Sequence, residues 1–245
     1  MFTWNIEGFG KNIFNLHALL KSFDPDLVSI SEPQMFRCDA SRHMSFLKGR
    51  YNYHLNSDDV FDPSLPLRSH KAWGGTMALW KLELDPCVTV HPPPSSSILP
   101  IIMQVPQHPT TLHVCVYLPT SGKDAQFIHE LSNLTTTLYD LSHLYPGAPM
   151  YSRGDFNINE KNAQRKELLQ FLVTSFNLIE LPIHHNTYHH FVGTGQSDSR
   201  LDRIFYSNSM QPERLDSILC GRTNPSIASS HDALVSTCVE LENSL

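Results

Sequence analysis

Short apolar runs of about four to eight residues recur along the chain, and they predict a fold rich in buried strands. Turn-forming residues such as Gly74-Gly75 and Pro92-Pro93-Pro94 separate several of these runs. The pattern predicts strands at residues 2–6, 27–31, 76–80, 98–105, 112–117, 150–155, 201–206 and 234–239.

Three segments instead carry apolar residues at helical spacing. The first covers residues 13–23 and ends before Pro25, because proline cannot continue a helix. The others cover 125–141 and 168–176, and Asn159 is the candidate cap of the last one. Residues 56–72 are polar, contain proline and lack a clear period, so they are expected to form a loop.

The order of these elements predicts the fold class. Helices interrupt the strands without the strict alternation of a parallel sheet, which favours an α/β fold of the α+β kind. The predicted architecture is two packed, mainly antiparallel sheets flanked by helices. Neither an internal repeat nor a linker stands out, so residues 1–245 are expected to form a single domain.

Composition narrows the protein class. Hydrophobic residues make up 40% of the chain and charged residues 17%, values typical of a globular protein. The five cysteines are odd in number and lack CxxC spacing, which favours a reducing compartment without structural zinc. The opening MFTWNIEG lacks the regions of a signal peptide, and no apolar run reaches the roughly 20 residues of a membrane span. A nuclear or intracellular location is therefore expected, without secretion or membrane insertion.

A net charge of −6 argues against a nucleic-acid partner, because affinity for DNA usually comes from lysine and arginine. Bound metal ions would add positive charge, however, and carboxylates that hold such ions make the formal charge more negative. The charge therefore leaves a metal-dependent nuclease possible.

Polar residues of catalytic type follow the predicted strands. Singly, each has an ordinary explanation: Asn5 and Asn157 fit turns, Tyr117 fits a half-buried strand, and His231 is one of 14 histidines. Together they predict a site, because strand ends converge on one edge of a layered fold. The residues at these positions are Asn5, Glu32, Tyr117, Asp155, Asn157, Asp202 and His231.

The order of the motifs resembles the exonuclease–endonuclease–phosphatase family, which includes apurinic endonucleases, deoxyribonuclease-I-like enzymes, inositol phosphatases and neutral sphingomyelinases. The resemblance covers nearly the whole chain and implies a four-layer α/β sandwich. Its motifs are Asn5-Ile6-Glu7-Gly8, Ser31-Glu32-Pro33, Tyr117-Leu118-Pro119, Gly154-Asp155-Phe156-Asn157, Arg200-Leu201-Asp202 and Ser230-His231.

The resemblance implies a metal site. Phosphodiester hydrolysis requires stabilisation of charge on the phosphoryl and leaving oxygens, which a hard cation held by carboxylates provides. Glu32 is the expected main ligand of Mg²⁺, with Asn5 and Glu7 nearby, and Mn²⁺ is an alternative ion. Many members of the family have aspartate in place of Glu7.

The resemblance also implies roles for the other motif residues. Asp155 would orient or deprotonate the attacking water, Asn157 would hold a phosphate oxygen, and Tyr117 would support the phosphate. Asp202 would accept a hydrogen bond from His231, which would then steady the phosphoryl charge. The expected substrate contacts are Arg200, Thr187 and Ser230.

Ser230 is a departure from the family, which usually has aspartate immediately before the final histidine. Asp232 follows His231, but neighbouring side chains of an extended segment point to opposite sides. We therefore expect that Asp232 does not replace the missing carboxylate. The missing carboxylate therefore leaves two alternatives, one or two metal sites and full or reduced activity.

The substrate prediction depends on finer similarities. Apurinic endonucleases carry tryptophan at the position of Ser199, whereas Ser199-Arg200-Leu201-Asp202 is similar to the endonuclease domains of LINE-type retrotransposons. That resemblance implies nicking of double-stranded chromosomal DNA for a reverse transcriptase encoded downstream.

Two further features bear on the substrate. Residues 56–72 and 184–198 are candidate DNA-facing loops, and the second contains His184, His185, His189 and His190. Two alternatives remain: a relative acting on phospholipid or inositol phosphates, for which residues 92–102 are the candidate membrane-binding loop, and a binding module without turnover.

Overall fold

Two β-sheets occupy the centre of the fold, which the computed structural model describes for residues 1–47, 49–57, 74–183, 186–192, 195–207 and 229–236. The strands are β1 (Phe2–Asn5), β2 (Leu27–Ser31), β3 (Tyr51–Asn56), β4 (Thr76–Lys81), β5 (Val88–Val90), β6 (Ile98–Met103), β7 (Thr111–Tyr117), β8 (Met150–Asp155), β9 (Leu178–Glu180), β10 (Tyr188–Val192), β11 (Gly195–Ser199), β12 (Asp202–Ser207) and β13 (Leu234–Val235). The helices are α1 (Phe9–Phe23), α2 (Arg37–His43), α3 (Asp124–Leu144) and α4 (Ala163–Ser175), with 3₁₀ turns at Met44–Leu47 and Leu82–Cys87.

Both sheets are mainly antiparallel. Among the described strands, the first sheet has the order β13-β1-β2-β4-β3 and the second β5-β6-β7-β8-β12-β9. Each contains one parallel pair, β1 with β2 and β7 with β8, and a long helix connects the strands of each pair. Asn5, Glu32, Tyr117 and Asp155 lie at or directly after the carboxyl ends of these four strands.

The sheets pack face to face with helices outside, which confirms the predicted sandwich. Leu16 and Leu20 of α1 share a core cluster with the outer face of the first sheet. Leu134 and Leu138 of α3 share another with the second sheet. A third cluster joins the two sheets through residues such as Ala78, Leu99 and Cys115. The order of layers is therefore helix, sheet, sheet, helix.

Alternation along β1 explains how an apolar strand delivers a polar side chain to the site. Phe2 and Trp4 belong to the core beneath α1, so Thr3 and Asn5 face the second sheet. All four residues are buried, so the polar side chains of this strand lie between the two sheets and not in solvent.

Several predicted elements need correction. In the helix predicted at 125–141, Phe127 is buried and Ile128 is 48% exposed, so the buried stripe of α3 begins one position earlier than the helical spacing of the apolar residues indicates. The cap of α4 is Asn162, whose side chain accepts a bond from the Arg165 amide, and Asn159 instead accepts from the Lys161 amide.

The boundaries also differ. The fourth predicted strand ends at Met103 and not at residue 105, and β12 begins at Asp202. The expected loop at 184–198 contains the antiparallel hairpin β10–β11. Strands β3, β5 and β9 and helix α2 were not predicted.

Some predictions concern residues outside the described ranges. These are most of the 56–72 loop, residues 237–239, Cys220 and Cys238, the pair His184 and His185, and the side chain of His190. The described cysteines, Cys38, Cys87 and Cys115, are free thiols. No helix within the described ranges has the length and apolarity of a membrane span.

Candidate active site

A cleft of about 330 Å³ opens where the carboxyl ends of the parallel strand pairs from the two sheets meet. Five residues predicted from sequence line it directly, and Asn5, Tyr117 and Asp202 each contact one of those five. The side chains that line the cleft are Glu7, Glu32, Thr120, Ser121, Asp155, Asn157, Asn159, Tyr188, Ser199, Leu201 and His231. A larger hollow of about 490 Å³ lies at the other end of the first sheet, around Arg50 and Lys81, away from these residues.

Asn5 connects the two sheets at the floor of the cleft. Its Nδ2 donates to Asp155 Oδ2 at 2.8 Å, and its Oδ1 accepts from the Glu7 amide at 3.1 Å. A second connection lies beside it, where Ser31 Oγ donates to the Val116 carbonyl at 3.0 Å. These bonds set the position of Asp155 relative to the first sheet.

Gly154 allows the strand carrying Asp155 to lie against its parallel neighbour. Its φ of 138° is a conformation that only glycine adopts readily. A Cβ at this position would lie 2.0 Å from the Val116 carbonyl oxygen. The glycine of the Gly-Asp-Phe-Asn motif is therefore a steric requirement of the β7–β8 pair.

Asn157 orients Asp155 rather than facing the cleft with a free amide. It lies in the left-handed region at φ 51°, so its backbone amide turns back to donate to Asp155 Oδ1 at 2.9 Å. Its Nδ2 donates to Asp155 Oδ2 at 2.9 Å and to the Leu118 carbonyl at 2.7 Å. Both amide hydrogens are thus engaged, and the predicted contact to a phosphate oxygen would require one of these bonds to break.

His231 and Asp202 form the expected pair. His231 Nδ1 lies 2.7 Å from Asp202 Oδ2, and both side chains are almost fully buried. Asp202 is opposite Asp155 in the β12–β8 ladder, which brings the other imidazole nitrogen, Nε2, to 4.0 Å from Asp155 Oδ2. Asp155 and the free nitrogen of His231 therefore face the same small volume.

The electrostatics of the pair favour a protonated imidazole. Burial by itself would lower the pKa of His231, but the adjacent Asp202 carboxylate, with Asp155 and Glu7 further away, raises the pKa to about 10. Asp155 shows the reverse balance, because burial raises its pKa to about 7 despite the opposing charge of His231. An imidazolium thus lies beside a carboxyl group that can take up a proton near neutral pH.

Negative charge accumulates on the other side of the cleft. Burial, then the charge and hydrogen bond of Glu32, and then Asp155 and Glu7 raise the pKa of Tyr117 far above its ordinary value. Glu32, at φ 51°, accepts from Gln34 Nε2 at 3.3 Å. Within the described lining there is no lysine or arginine to offset these carboxylates.

This donor set fits a hard divalent cation. The Glu32 and Glu7 carboxylates and the Asn5 carbonyl oxygen are the ligand types of Mg²⁺, which keeps several waters and takes one or two protein carboxylates. The described residues contain no cluster of three histidine, cysteine or acidic side chains arranged as a full metal cage. A cation here would therefore depend on water and substrate oxygens to complete its coordination.

Two predicted substrate contacts lie elsewhere. Arg200 donates to the Ile183 carbonyl at 3.2 Å and pairs with Glu160 at 3.1 Å, outside the cleft lining. Thr187 is fully buried, and its Oγ1 accepts from the Asp202 amide at 3.0 Å, so it supports the strand that carries the histidine partner. Ser230 borders the site, where its amide donates to Glu7 Oε2 at 2.7 Å.

Some lining residues were missed at the sequence level. Thr120 and Ser121 follow the Tyr-Leu-Pro motif directly, and Tyr188 lies in the histidine-rich segment that was expected to be a loop. Asn159, assigned as a helix cap, instead donates from Nδ2 to Ser199 Oγ at 3.1 Å within the cleft. Proximity to a recognised motif was the signal for the first two.

Comparisons with known proteins bear on the family and on the fold. The model of the Endonuclease/Exonuclease/phosphatase family matches residues 2–231. No curated protein matches the chain in a sequence comparison.

Solved structures share the fold at low sequence identity. A 3′ phosphatase from Neisseria bound to a product DNA hairpin has a TM-score of 0.73 at 14% identity, with 98% of each chain covered. The endonuclease domain of TRAS1, a telomere-specific non-LTR retrotransposon, has a TM-score of 0.68 at 15% identity, again with 98% of each chain covered. An AP endonuclease from Leishmania major has a TM-score of 0.71 at 14% identity, covering 95% of this chain and 85% of that one.

Proposed function

This chain belongs to the endonuclease/exonuclease/phosphatase family, and on that premise we propose that it is a divalent-metal-dependent phosphodiesterase that nicks double-stranded DNA. The observation that carries the proposal is the meeting of Glu32, Asp155 and His231 in one cleft, although they lie far apart in sequence. A carboxylate-rich wall opposite a carboxyl–imidazolium pair is suited to hydrolysis of a phosphodiester.

Asp155 is proposed as the group that orients the attacking water and accepts its proton. With its pKa raised to about 7, it is a stronger base than an ordinary carboxylate and is still partly ionised at neutral pH. Three donors from Asn5 and Asn157 fix its plane. These bonds leave the carboxylate little rotational freedom when water approaches.

His231 is proposed to donate from Nε2 to a phosphoryl oxygen. Its Nδ1 is engaged by Asp202 at 2.7 Å, so the ring orientation is fixed and Nε2 faces the cleft. A cation at Glu32 and Glu7, when bound, would stabilise charge on the phosphoryl and leaving oxygens. The Tyr117 side chain is hydrogen-bonded to Glu32, and its hydroxyl is proposed to support the phosphate.

The retrotransposon role is the finer part of the proposal. It is supported by the Ser199-Arg200-Leu201-Asp202 motif and by the similarity in fold to the TRAS1 endonuclease domain. In this role the enzyme acts on chromosomal DNA in the nucleus, and a reverse transcriptase of the same element extends the free 3′ end.

A lipid-directed activity has less support. Residues 92–102 were the candidate membrane-binding loop, but Ile98, Ile101 and Ile102 are fully buried in β6. The described cleft lining also lacks the lysines and arginines expected for a multiply phosphorylated head group. The second alternative, a binding module without catalytic turnover, is disfavoured because the His231–Asp202 pair is intact.

A plasmid-nicking assay with Mg²⁺ tests the proposal. We expect conversion of supercoiled DNA to the nicked form by the wild type, and a loss of at least about 100-fold in Asp155→Ala. Asp140→Ala, which removes an exposed carboxylate from α3, is the matched control and should retain wild-type rates.

Three outcomes would overturn the proposal. Release of phosphate from inositol phosphates without DNA nicking would indicate the lipid-type activity. DNA binding without nicking would indicate a non-catalytic module. Equal nicking by wild type and Asp155→Ala would remove Asp155 from the mechanism.

A further inference from the structure

A second aspartate–histidine pair lies directly behind the first. His189 Nε2 is 3.0 Å from Asp232 Oδ2. The Asp232 side chain is 1% exposed and that of His189 11% exposed. Asp232 follows His231 in sequence, so the two histidine–aspartate pairs are connected by a single peptide unit.

Backbone hydrogen bonds also join the two segments that carry His189 and Asp232. The Asp232 amide donates to the Thr187 carbonyl at 2.7 Å, and the His189 amide donates to the Ser230 carbonyl at 2.8 Å. These bonds form an antiparallel bridge between Tyr188 and His231. The base of the β10–β11 hairpin is thereby attached to the segment that carries His231.

Side-chain alternation places the two pairs on opposite faces of this bridge. On the cleft face, the Tyr188 ring lies against the His231 ring, with centroids 4.9 Å apart and an interplanar angle of 55°. On the other face, Asp232 and His189 lie one residue further along their segments. Any rotation of the bridge that breaks the His189–Asp232 contact would also turn Tyr188 and His231.

The His189–Asp232 pair is better suited to fixing the orientation of the bridge than to filling space in the core. A buried carboxylate is strongly unfavourable unless it is hydrogen-bonded or paired, so Asp232 favours the arrangement in which His189 reaches it. An apolar pair of similar volume would fill the space without this directional demand. The contact therefore restricts the bridge to one register and twist.

We propose that Asp232 and His189 are positioning residues that hold His231 and Tyr188 in their orientation towards the substrate phosphate. The proposal rests on the proposed nuclease function for its kinetic consequence, but its structural content is independent of activity. Neither residue touches the reacting atoms, and both act through the peptide bridge and the ring contact.

Asp232→Ala and Asp232→Asn separate this role from a merely structural one. Asparagine retains a carbonyl oxygen that can accept the same bond from His189 Nε2, whereas alanine does not. We expect kcat for plasmid nicking to fall about 10- to 100-fold in Asp232→Ala with KM little changed, and to stay within about threefold of wild type in Asp232→Asn. Ser236→Ala, which alters an equally buried polar residue on the same segment, should behave as wild type.

The imidazole resonances of His231 provide a second readout in ¹⁵N-histidine-labelled, metal-free protein. Asp232→Ala should shift or broaden them, and Asp232→Asn and Ser236→Ala should leave them near their wild-type positions. His189→Phe keeps a ring, removes the hydrogen bond and should reproduce Asp232→Ala, which covers the case that Asp232→Ala does not fold.

The outcomes separate this inference from the function on which it rests. A wild type that does not nick DNA would refute the proposed function, while the resonances of His231 would still test the positioning role. Unchanged resonances together with an unchanged kcat in a folded Asp232→Ala or His189→Phe protein would overturn the inference.

Discussion

Replacing Asp202 with asparagine should lower the pKa of His231 while leaving the position of its ring almost unchanged. The 2.7 Å contact between Asp202 Oδ2 and His231 Nδ1 is buried, and Asp202 is the largest influence that raises the pKa of the imidazole. Asparagine has almost the same shape and can still accept a hydrogen bond from Nδ1. The substitution therefore removes the negative charge and leaves most of the packing intact.

The magnitude follows from the pKa. A rise from 6.5 to about 10 favours the imidazolium over the neutral ring by about 5 kcal/mol, at about 1.4 kcal/mol per unit. Because the folded-state pKa is raised, this stabilisation is fully present below pH 6.5 and is lost as the pH rises through about 10. At pH 7 the contribution to folding is about 4 kcal/mol, and most of it depends on Asp202.

In Asp202→Asn, burial lowers the pKa of His231 and only Asp155 and Glu7 oppose it. We expect the histidine to titrate at a lower pH than in the wild type, so that it is neutral at pH 8. Nicking at pH 8 should then fall about 100-fold and recover in part towards pH 6. The free energy of unfolding should fall most below about pH 6.5, where the stabilisation is fully present, and converge with that of the wild type as the pH rises past about 10.

Two measurements check this reasoning. The titration of His231 is followed by NMR in metal-free protein, and nicking rates are measured between pH 6 and 9 in wild type, Asp202→Asn and the surface control Asp140→Asn. An Asp202→Asn protein in which His231 titrates at the wild-type pH would refute the assignment of Asp202 as the source of the raised pKa.

Three further substitutions test other parts of the site. Glu32→Gln should weaken Mn²⁺ binding by at least about tenfold in calorimetry without lowering metal-free stability, and unchanged affinity would remove Glu32 from the ligand set. Gly154→Ala should destabilise the fold by roughly 3 kcal/mol, because its Cβ would meet the Val116 carbonyl oxygen, and a denaturant midpoint equal to that of wild type would contradict the steric argument. Ser230→Asp places a carboxylate beside Glu7, so it should raise Mg²⁺-dependent nicking and lower thermal stability in the absence of metal; reduced nicking at saturating Mg²⁺ would show that the site does not use a carboxylate there.

Much of the site was predictable because its residues follow buried strands. The apolar runs before Glu32 and Asp155 define strands of ordinary length, and polar residues at their ends gather at one edge of the sandwich. The family prediction and the fold class are confirmed by the match over residues 2–231 and by the similarity of the fold to known members. The roles of the individual side chains remain predictions.

The errors have physical causes that lie in side-chain direction. Ser199 and Leu201 line the cleft, so Arg200 between them points away, and alternation alone could have excluded it as a substrate contact. The β10–β11 hairpin was missed because its polar, histidine-rich sequence lacks an apolar stripe, and its strands are defined by pairing with each other. The cap of α4 was misplaced by three residues because Asn159 and Asn162 are equally good candidates from sequence.

The proposed reacting groups come from two different sheets, so the proposed activity should be sensitive to how those sheets pack together. Glu32 comes from one sheet and Asp155 from the other, and the bonds of Asn5 and Ser31 span the gap. Leu99 belongs to the core cluster between the two sheets, so Leu99→Ala would create a cavity there. Such a cavity can let one sheet shift relative to the other while the strand pairing within each sheet is kept. On heating, nicking activity should therefore be lost at a temperature several degrees below the unfolding transition seen by circular dichroism. Loss of activity would then report a change in sheet packing that circular dichroism does not detect.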